Sequence, residues 1–238
     1  MELHGRTAIV TGAASGIGRA LALDIHARGG RLVLVDREVD GLQRTADDTG
    51  GTPIELDVAS PDDHDQLAAL TGTPTLLCLN AGVTSTAPGR IWEAPPEEWR
   101  RVLDINLGGV VNGLRTFVPR MLATGEDHHI LITASLAGLA TWPGGGPYAA
   151  SKHAVVTVAE QAALALADTP VTVTVLCPAL VRGGMSEIGE DPADVATRAL
   201  DAVARNTFAV VPHEWTDAVV QRGHRIASGQ QPKTPVPG

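Results

Sequence analysis

A tyrosine and a lysine stand four residues apart, at Tyr148 and Lys152, in an alanine-rich segment that predicts a helix over 148–167. Residues with this spacing share one face of a helix. Tyr148 is the only tyrosine of the chain, and Lys152 is one of two lysines, the other being Lys233 near the end. A pair of solvated surface side chains is the plain alternative. The pairing of two residue types that this sequence uses so rarely favours a chemical role.

The chemistry that suits this pair is proton transfer at the oxygen of an alcohol or a ketone. Interconverting the two by hydride transfer also moves a proton at oxygen. A free phenol titrates near ~10 and is a poor base at neutral pH, but a nearby ammonium stabilises the phenolate and lowers its pKa. Ser135 lies thirteen residues before Tyr148, just past a predicted strand, and its hydroxyl can hydrogen-bond the same oxygen.

A glycine-rich turn near the start of the chain predicts a nucleotide site. It joins a predicted strand at 7–10 to a predicted helix at 17–28, where backbone N–H groups and a helix N-terminus can approach a pyrophosphate. The spacing Gly-x3-Gly-x-Gly differs from the common dinucleotide fingerprint and lacks the lysine of a P-loop, so by itself the motif could also be a turn without a ligand. The residues expected to contact the cofactor here are Gly12, Ser15, Gly16, Ile17 and Gly18.

An acidic residue, Asp36, ends the second predicted strand at the place where an adenosine ribose would lie. Its carboxylate can accept hydrogen bonds from the ribose hydroxyls, whereas a 2′-phosphate would bring two negative groups together. Arg37 is the next residue and could pair with such a phosphate. We therefore expect NAD to be preferred, with NADP as the less favoured cofactor.

These residues lie at the ends of short apolar strands that alternate with helical segments. The predicted strands are 7–10, 31–35, 53–56, 76–79, 130–133, 171–176 and 208–211, and a long helical segment over 95–122 carries a break at 106–109. Continuous apolar strands between helices predict a parallel sheet covered on both faces. The expected fold is α/β, a single-domain, Rossmann-like, doubly wound parallel sheet of about seven strands over residues 1–228, followed by a proline-rich, mobile tail at 229–238.

With these motifs in order, the chain resembles the short-chain dehydrogenase/reductase family over residues 6 to about 182. Besides the glycine-rich turn, Asp57-Val58 matches the family's adenine-side pair and Asn80-Ala81-Gly82 its Asn-Ala-Gly strand end. The catalytic tetrad of the family matches Asn106, Ser135, Tyr148 and Lys152. The resemblance implies that Tyr148 is the general acid/base, that Ser135 positions the substrate oxygen, that Lys152 lowers the pKa of Tyr148 and binds the nicotinamide ribose, and that Asn106 helps to hold a water for proton relay.

The segment after the sixth strand departs from the family pattern. By resemblance Pro178 and Val181 contact the cofactor, but Gly183 stands near the place where many members have a threonine that contacts the carboxamide. The following lid region is also short. We expect the pocket to be open, or to be completed by the C-terminal segment or by a partner subunit.

The candidate substrate-pocket residues are apolar, which favours a hydrophobic or cyclic secondary alcohol or ketone. They are Trp92, Leu136, Trp142, Met185 and Ile188. Ordinary packing explains either tryptophan taken alone. Arg90 or Arg182 could instead meet a substrate carboxylate, although an arginine on a loop is more often simply solvated.

Composition argues against several other classes of protein. The net charge of −9 gives no basic stripe for nucleic acid or anionic lipid, and no Cys/His spacing predicts a metal site. Cys78 and Cys177 lie in apolar runs, which favours buried thiols. No signal peptide or membrane span is evident, so we expect a cytoplasmic protein, and the resemblance implies a homodimer or homotetramer.

Two other functions stay open. A catalytically silent nucleotide-binding sensor or scaffold could share this fold, but it would be expected to lack at least one of the four catalytic residues, and all four are present. An epimerase or dehydratase on the same fold usually needs a longer C-terminal substrate domain. An active oxidoreductase is the preferred hypothesis.

Overall fold

The computed structural model describes residues 1–86, 90–183 and 186–238. Its centre is a seven-stranded, entirely parallel sheet in the order β3-β2-β1-β4-β5-β6-β7. The strands are β1 (Thr7–Thr11), β2 (Arg31–Asp36), β3 (Thr52–Glu55), β4 (Leu76–Leu79), β5 (His128–Thr133), β6 (Val171–Leu176) and β7 (Ala209–Val210). The helices are α1 (Gly16–Ala27), α2 (Val39–Thr49), α3 (Pro61–Thr71), α4 (Pro96–Leu103), α5 (Gly109–Thr124), α6 (Gly146–Ala165), α7 (Pro192–Ala204) and α8 (Thr216–Ala227).

The strands alternate their side chains between two hydrophobic layers, one on each face of the sheet. In β1, Ile9 packs in one layer, with Leu77 of β4, while Val10 packs in the other, with Leu76. Successive side chains of a strand point to opposite faces, so a strand buried on both sides is apolar throughout. This confirms the predicted doubly wound α/β fold, whose chain order reverses between β1 and β4.

Strand β5 begins two residues earlier than the apolar run predicts, because two histidines extend it into the core. The imidazole of His128 hydrogen-bonds the carbonyl of Pro74 and the hydroxyl of Thr124, at 2.8 and 2.7 Å. His129 hydrogen-bonds the hydroxyls of Thr172 and Thr174, at 2.7 and 2.8 Å. Buried polar rings are tolerated when their nitrogens are paired, which hydropathy alone does not reveal.

The predicted break at 106–109 is instead a π-helical turn, Asp104–Gly108, that joins α4 to α5. The paired glycines do not stop the helix, since Gly108 and Gly109 keep right-handed helical dihedrals. A π-turn widens a helix by one residue and is frequent at functional sites. Here it carries Asn106, which is fully buried.

Helix α8 was not predicted, and the structure places it beyond β7. The helix is amphipathic, but only Ala218 of α8 is buried. The tail that follows makes two defined contacts, since Pro235 is buried and the backbone N–H of Gly238 donates to the carbonyl of Glu214 at 2.8 Å. The mobility of 229–238 stays a prediction. Within the described residues, no helix is long and apolar enough to cross a membrane.

Candidate active site

The four catalytic candidates come from three elements around the carboxyl end of the sheet. Ser135 follows β5 and is the N-cap of a short 3-10 turn, Leu136–Gly138. Tyr148 and Lys152 lie in the first two turns of α6, and Asn106 lies in the π-turn. Ligands of doubly wound sheets bind at this end of the strands, so the fold places the candidates where a reaction site is expected.

Lys152 is buried at the base of this group, with 3% of its surface exposed. Its ammonium donates a hydrogen bond of 2.9 Å to the carbonyl of Thr133, the last residue of β5, and lies 5.8 Å from the centre of the Tyr148 ring. A Cβ added to Gly82 would lie 3.3 Å from this nitrogen. Burial lowers the pKa of Lys152 to about 8, because the charged form loses its hydration.

Tyr148 is partly exposed, and its pKa in the structure is raised above the ordinary value of a phenol. Burial raises the pKa of the phenol, while a hydrogen bond with Ser135 opposes that change. The sequence led us to expect the opposite direction, through Lys152. In the structure the ammonium points to Thr133 rather than to the phenol oxygen, so desolvation dominates the pKa of Tyr148.

Asn106 fixes the backbone on both sides of the site. Its amide oxygen accepts from the N–H of Val83 at 2.7 Å, and its amide nitrogen donates to the carbonyl of Val83 at 3.0 Å and to the hydroxyl of Ser151 at 2.9 Å. Ser151 in turn donates to the carbonyl of Tyr148 at 2.7 Å. Both amide hydrogens are therefore used inside the protein, so the side chain anchors the helix of Tyr148. The sequence analysis missed Ser151, although its place next to Lys152 on α6 is a signal.

A second set of polar contacts ties the ends of β1, β4 and β5 together. The hydroxyl of Thr11 accepts from the N–H groups of Asn80 and Ala81, at 2.9 and 3.1 Å. The amide of Asn80 donates to the carbonyl of Thr11 at 3.1 Å and accepts from the hydroxyl of Thr133 at 3.0 Å. Since Thr133 also holds Lys152, the Asn-Ala-Gly strand end and this candidate catalytic lysine share one network.

The glycine-rich turn forms a bare helix N-terminus. A Cβ on Gly18 would lie 1.9 Å from the carbonyl of Gly12, which brings α1 close to the turn, while a Cβ on Gly16, at φ +53, would meet open space. Ser15 is the N-cap of α1, but its side chain makes no capping hydrogen bond. The first turn of the helix, which includes Ile17, contains no acidic residue. The free N–H groups of such an end suit an anion, so the turn fits the pyrophosphate of a dinucleotide.

Asp36 lies beside this turn, as predicted. One carboxylate oxygen accepts from the N–H of Ala14 and the other from the N–H of Glu38, each at 3.0 Å. Arg37 is exposed. Seven of the residues predicted to contact the cofactor line one cleft of about 90 Å³ at this point. They are Gly12, Asp36, Arg37, Asp57, Val58, Ala81 and Gly82.

The Asp57-Val58 pair, predicted to lie on the adenine side of the cofactor, contacts buried polar side chains that the sequence did not single out. The carbonyl of Val58 is hydrogen-bonded by the ring of His64 and by the amide of Asn112, each at 3.1 Å. Desolvation lowers the pKa of His64, so the neutral imidazole is favoured. The carboxylate of Asp57 accepts from the N–H of Ala59 at 3.0 Å, which closes the turn.

The segment after β6 lies against the glycine-rich turn. Pro178 is buried and its carbonyl accepts from the N–H of Leu136 at 2.8 Å, while Val181 forms a backbone bridge with Glu190. A Cβ on Gly183, at φ +144, would lie 3.1 Å from the Cα of Gly16. The glycine that departs from the family pattern therefore permits a backbone approach that a threonine would hinder.

The predicted substrate-pocket residues are dispersed. Leu136 is buried, with 3% of its surface exposed, and so offers little surface to a ligand, whereas Trp92 and Ile188 are 74% and 68% exposed. Trp142 packs edge to face on Trp215, with ring centres 5.5 Å apart. The fifth candidate, Met185, lies outside the described residues.

The charged alternatives for substrate binding are both engaged. Arg182 forms an ion pair with Asp191 at 2.9 Å, and Arg90 lies over the ring of Trp92, 5.5 Å from its centre. Cys78 and Cys177 are buried and form no disulfide, as their apolar runs predict. No cluster of potential metal ligands occurs within 1–86, 90–183 and 186–238.

Comparison with known proteins agrees with this arrangement. The short chain dehydrogenase family matches residues 6–192. A 1-deoxy-11-beta-hydroxypentalenate dehydrogenase from Streptomyces avermitilis is 37% identical over 190 residues, covering 76% of this chain and 70% of that protein. The enzyme of the same name from Streptomyces exfoliatus is 35% identical, covering 87% and 83%. A short chain dehydrogenase/reductase from Burkholderia phymatum, solved in complex with NAD, is 32% identical with a TM-score of 0.92 and covers 99% of both chains.

The chain belongs to the short-chain dehydrogenase/reductase family. It is an NAD(P)-dependent oxidoreductase that acts on CH–OH groups. This confirms the preferred hypothesis of an active oxidoreductase, and nothing in the comparisons favours a catalytically silent sensor or scaffold.

We predict that Lys152→Met makes the cofactor-free protein more stable at pH 7. A pKa of about 8 against an ordinary ~10.4 means that the folded state penalises the ammonium by roughly 3 kcal/mol. The unfolded chain holds more protons between these pH values, so the stability of the wild type rises with pH across that window. The melting temperature should increase by roughly 6–12 °C at pH 7, and the difference should shrink by pH 10.5. Equal melting temperatures at pH 7 would contradict the assignment.

Proposed function

We propose that this chain transfers a hydride between NAD and an apolar or cyclic secondary alcohol or ketone, with Tyr148 as the general acid/base. One observation carries the proposal: Tyr148 and the buried Lys152 share a face of α6, with Ser135 in hydrogen-bonding reach of the phenol. Ser135 orients the substrate oxygen and Tyr148 exchanges the proton there. The nicotinamide, when bound, supplies or accepts the hydride.

The protein's own residues hold the cofactor in three places. The N–H groups of the glycine-rich turn, with Ser15, Gly16, Ile17 and Gly18, take the pyrophosphate. The cleft at Asp36 and Val58 takes the adenosine, and Lys152 beside Gly82 takes the nicotinamide ribose. Asn80 fixes the intervening strand end, while Pro178 and Val181 cover the nicotinamide side. The bare N-terminus of α1 and the glycine contacts support this placement.

Asn106 acts as a positioning residue. Its side chain holds Val83 and Ser151, so the π-turn and α6 keep a fixed distance. Any water in a proton relay would then bind to backbone groups of the π-turn rather than to the amide. The similarity to family members further supports a cytoplasmic homodimer or homotetramer with one catalytic domain over residues 1–228.

Replacing Tyr148 with phenylalanine should lower turnover by roughly 10²–10⁴ while cofactor still binds, because a well-placed acid/base contributes about that much. Turnover is measured with a cyclic secondary alcohol, and cofactor affinity by fluorescence titration with NADH. Since Tyr148 is the only tyrosine, its ionisation can also be followed by ultraviolet absorbance. Near-normal turnover in the variant would rule out the assigned role.

Asp36→Ala should reduce the preference for NAD over NADP, since the carboxylate that repels a 2′-phosphate is removed. The repulsion near a surface amounts to roughly 1–4 kcal/mol, so the ratio of the two dissociation constants should move by at least about fivefold. Asp40→Ala, an exposed acid in the first turn of α2, is the matched control. An unchanged ratio, or tighter binding of NADP by the wild type, would show that Asp36 is not the selector.

A cyclic secondary alcohol should be a better substrate than a short hydroxy acid. The apolar side chains around the site, Trp142 among them, gain from burying a large hydrocarbon surface at about 25 cal/mol per Å². The measurement is kcat/KM for cyclohexanol and for lactate at one pH. A higher value for lactate would reject the apolar class.

A further inference from the structure

A cavity of about 450 Å³ lies between the loop that leads to Tyr148 and the C-terminal segment. One wall is the run Ala140, Thr141, Trp142 and Pro143, which separates Ser135 from Tyr148 in the chain. The other wall comes from α8 and the tail: Arg222, Arg225, Ile226, Gln230 and residues 232–235. The residues that follow β5 and β7 thus enclose it. These strands flank β6, so the cavity lies at the carboxyl end of the sheet, on the side of Tyr148.

The C-terminal wall is fixed in place by specific contacts. The ring of Trp142 meets that of Trp215 edge to face at 5.5 Å. The backbone N–H of Gln230 donates to the carbonyl of Arg225 at 2.9 Å, which turns the chain back after α8. Pro235 is buried, although its neighbours in the tail are exposed. The tail therefore covers the cavity.

The C-terminal wall of the cavity is positively charged, whereas the protein as a whole is negatively charged. Of the residues that the structure describes, three cations, Arg222, Arg225 and Lys233, line the cavity and no acid does, in a chain whose net charge is −9. Both arginines are half-buried, and none of the three takes part in an ion pair within the described part of the chain. An apolar cavity with unneutralised guanidinium groups suits an apolar molecule with an anionic end.

We propose that this cavity is the outer half of the substrate site and that Arg222 and Arg225 bind a carboxylate carried by the apolar alcohol or ketone. This deepens the proposed function and rests on it. The hydrocarbon part packs on Trp142, while the carboxylate lies against α8, remote from the carbon that reacts. In this proposal the C-terminal segment covers the substrate, which the short lid region after β6 would otherwise do.

The test compares a hydroxy acid with its neutral methyl ester, using trans-4-hydroxycyclohexanecarboxylate and 3-hydroxycholan-24-oate as two lengths of probe. For at least one probe, the wild type should have a KM about tenfold lower for the acid than for the ester. Arg222→Gln and Arg225→Gln should each remove most of that difference while leaving kcat and the KM of the ester nearly unchanged, since the contact is equal in ground and transition states. Arg225→Lys should restore part of it.

Arg31 is an exposed arginine at the opposite end of the sheet, and Arg31→Gln is therefore the matched control. This variant should keep the difference in KM between acid and ester that the wild type shows. If acids and esters are used equally by the wild type, or if the arginine variants weaken both alike, the carboxylate site is rejected while the proposed function stands. If no alcohol or ketone is turned over with either cofactor, the proposed function itself fails.

Discussion

The buried ammonium of Lys152 is the interaction around which the site is organised. An uncompensated charge with 3% exposure is unfavourable, and among the described residues the ammonium has one hydrogen-bond acceptor, the carbonyl of Thr133. That carbonyl belongs to the last residue of β5, whose hydroxyl is bonded to Asn80. The position of the lysine therefore depends on the alignment of β1, β4 and β5, which is set by the core and not by the site. Because desolvation lowers the pKa of Lys152 to about 8, a small change in its surroundings changes its charge at neutral pH.

The tyrosine is held by a separate set of contacts. Asn106 binds Val83 on one side and Ser151 on the other, and Ser151 binds the carbonyl of Tyr148. The π-turn carries the amide that contacts both partners. Lysine and tyrosine are four residues apart on one helix, yet one is fixed from the sheet and the other from the π-turn. Their separation can then be held more precisely than a single anchor would allow.

Much of this could be predicted from the sequence because the signals are local. Apolar runs mark all seven strands, and a glycine-rich turn after the first one marks the candidate cofactor site. The buried histidines of β5 and the amide contacts of Asn112 to Val58 depend on pairing between distant residues, which no local pattern reports. The substrate residues were the weakest predictions for the same reason. Leu136 and Trp92 are both apolar, but one is buried in the core and the other is largely exposed.

The departures from the family pattern share a physical cause. Gly183 lets the backbone after β6 lie against Gly16, and the ion pair of Arg182 with Asp191 closes this segment on itself. The cavity wall that we propose for the substrate comes instead from the chain after β7, the neighbour of β6 in the sheet. The helix after β7 is amphipathic, yet Ala218 is its one buried residue, so its half-buried arginines are available to line the cavity.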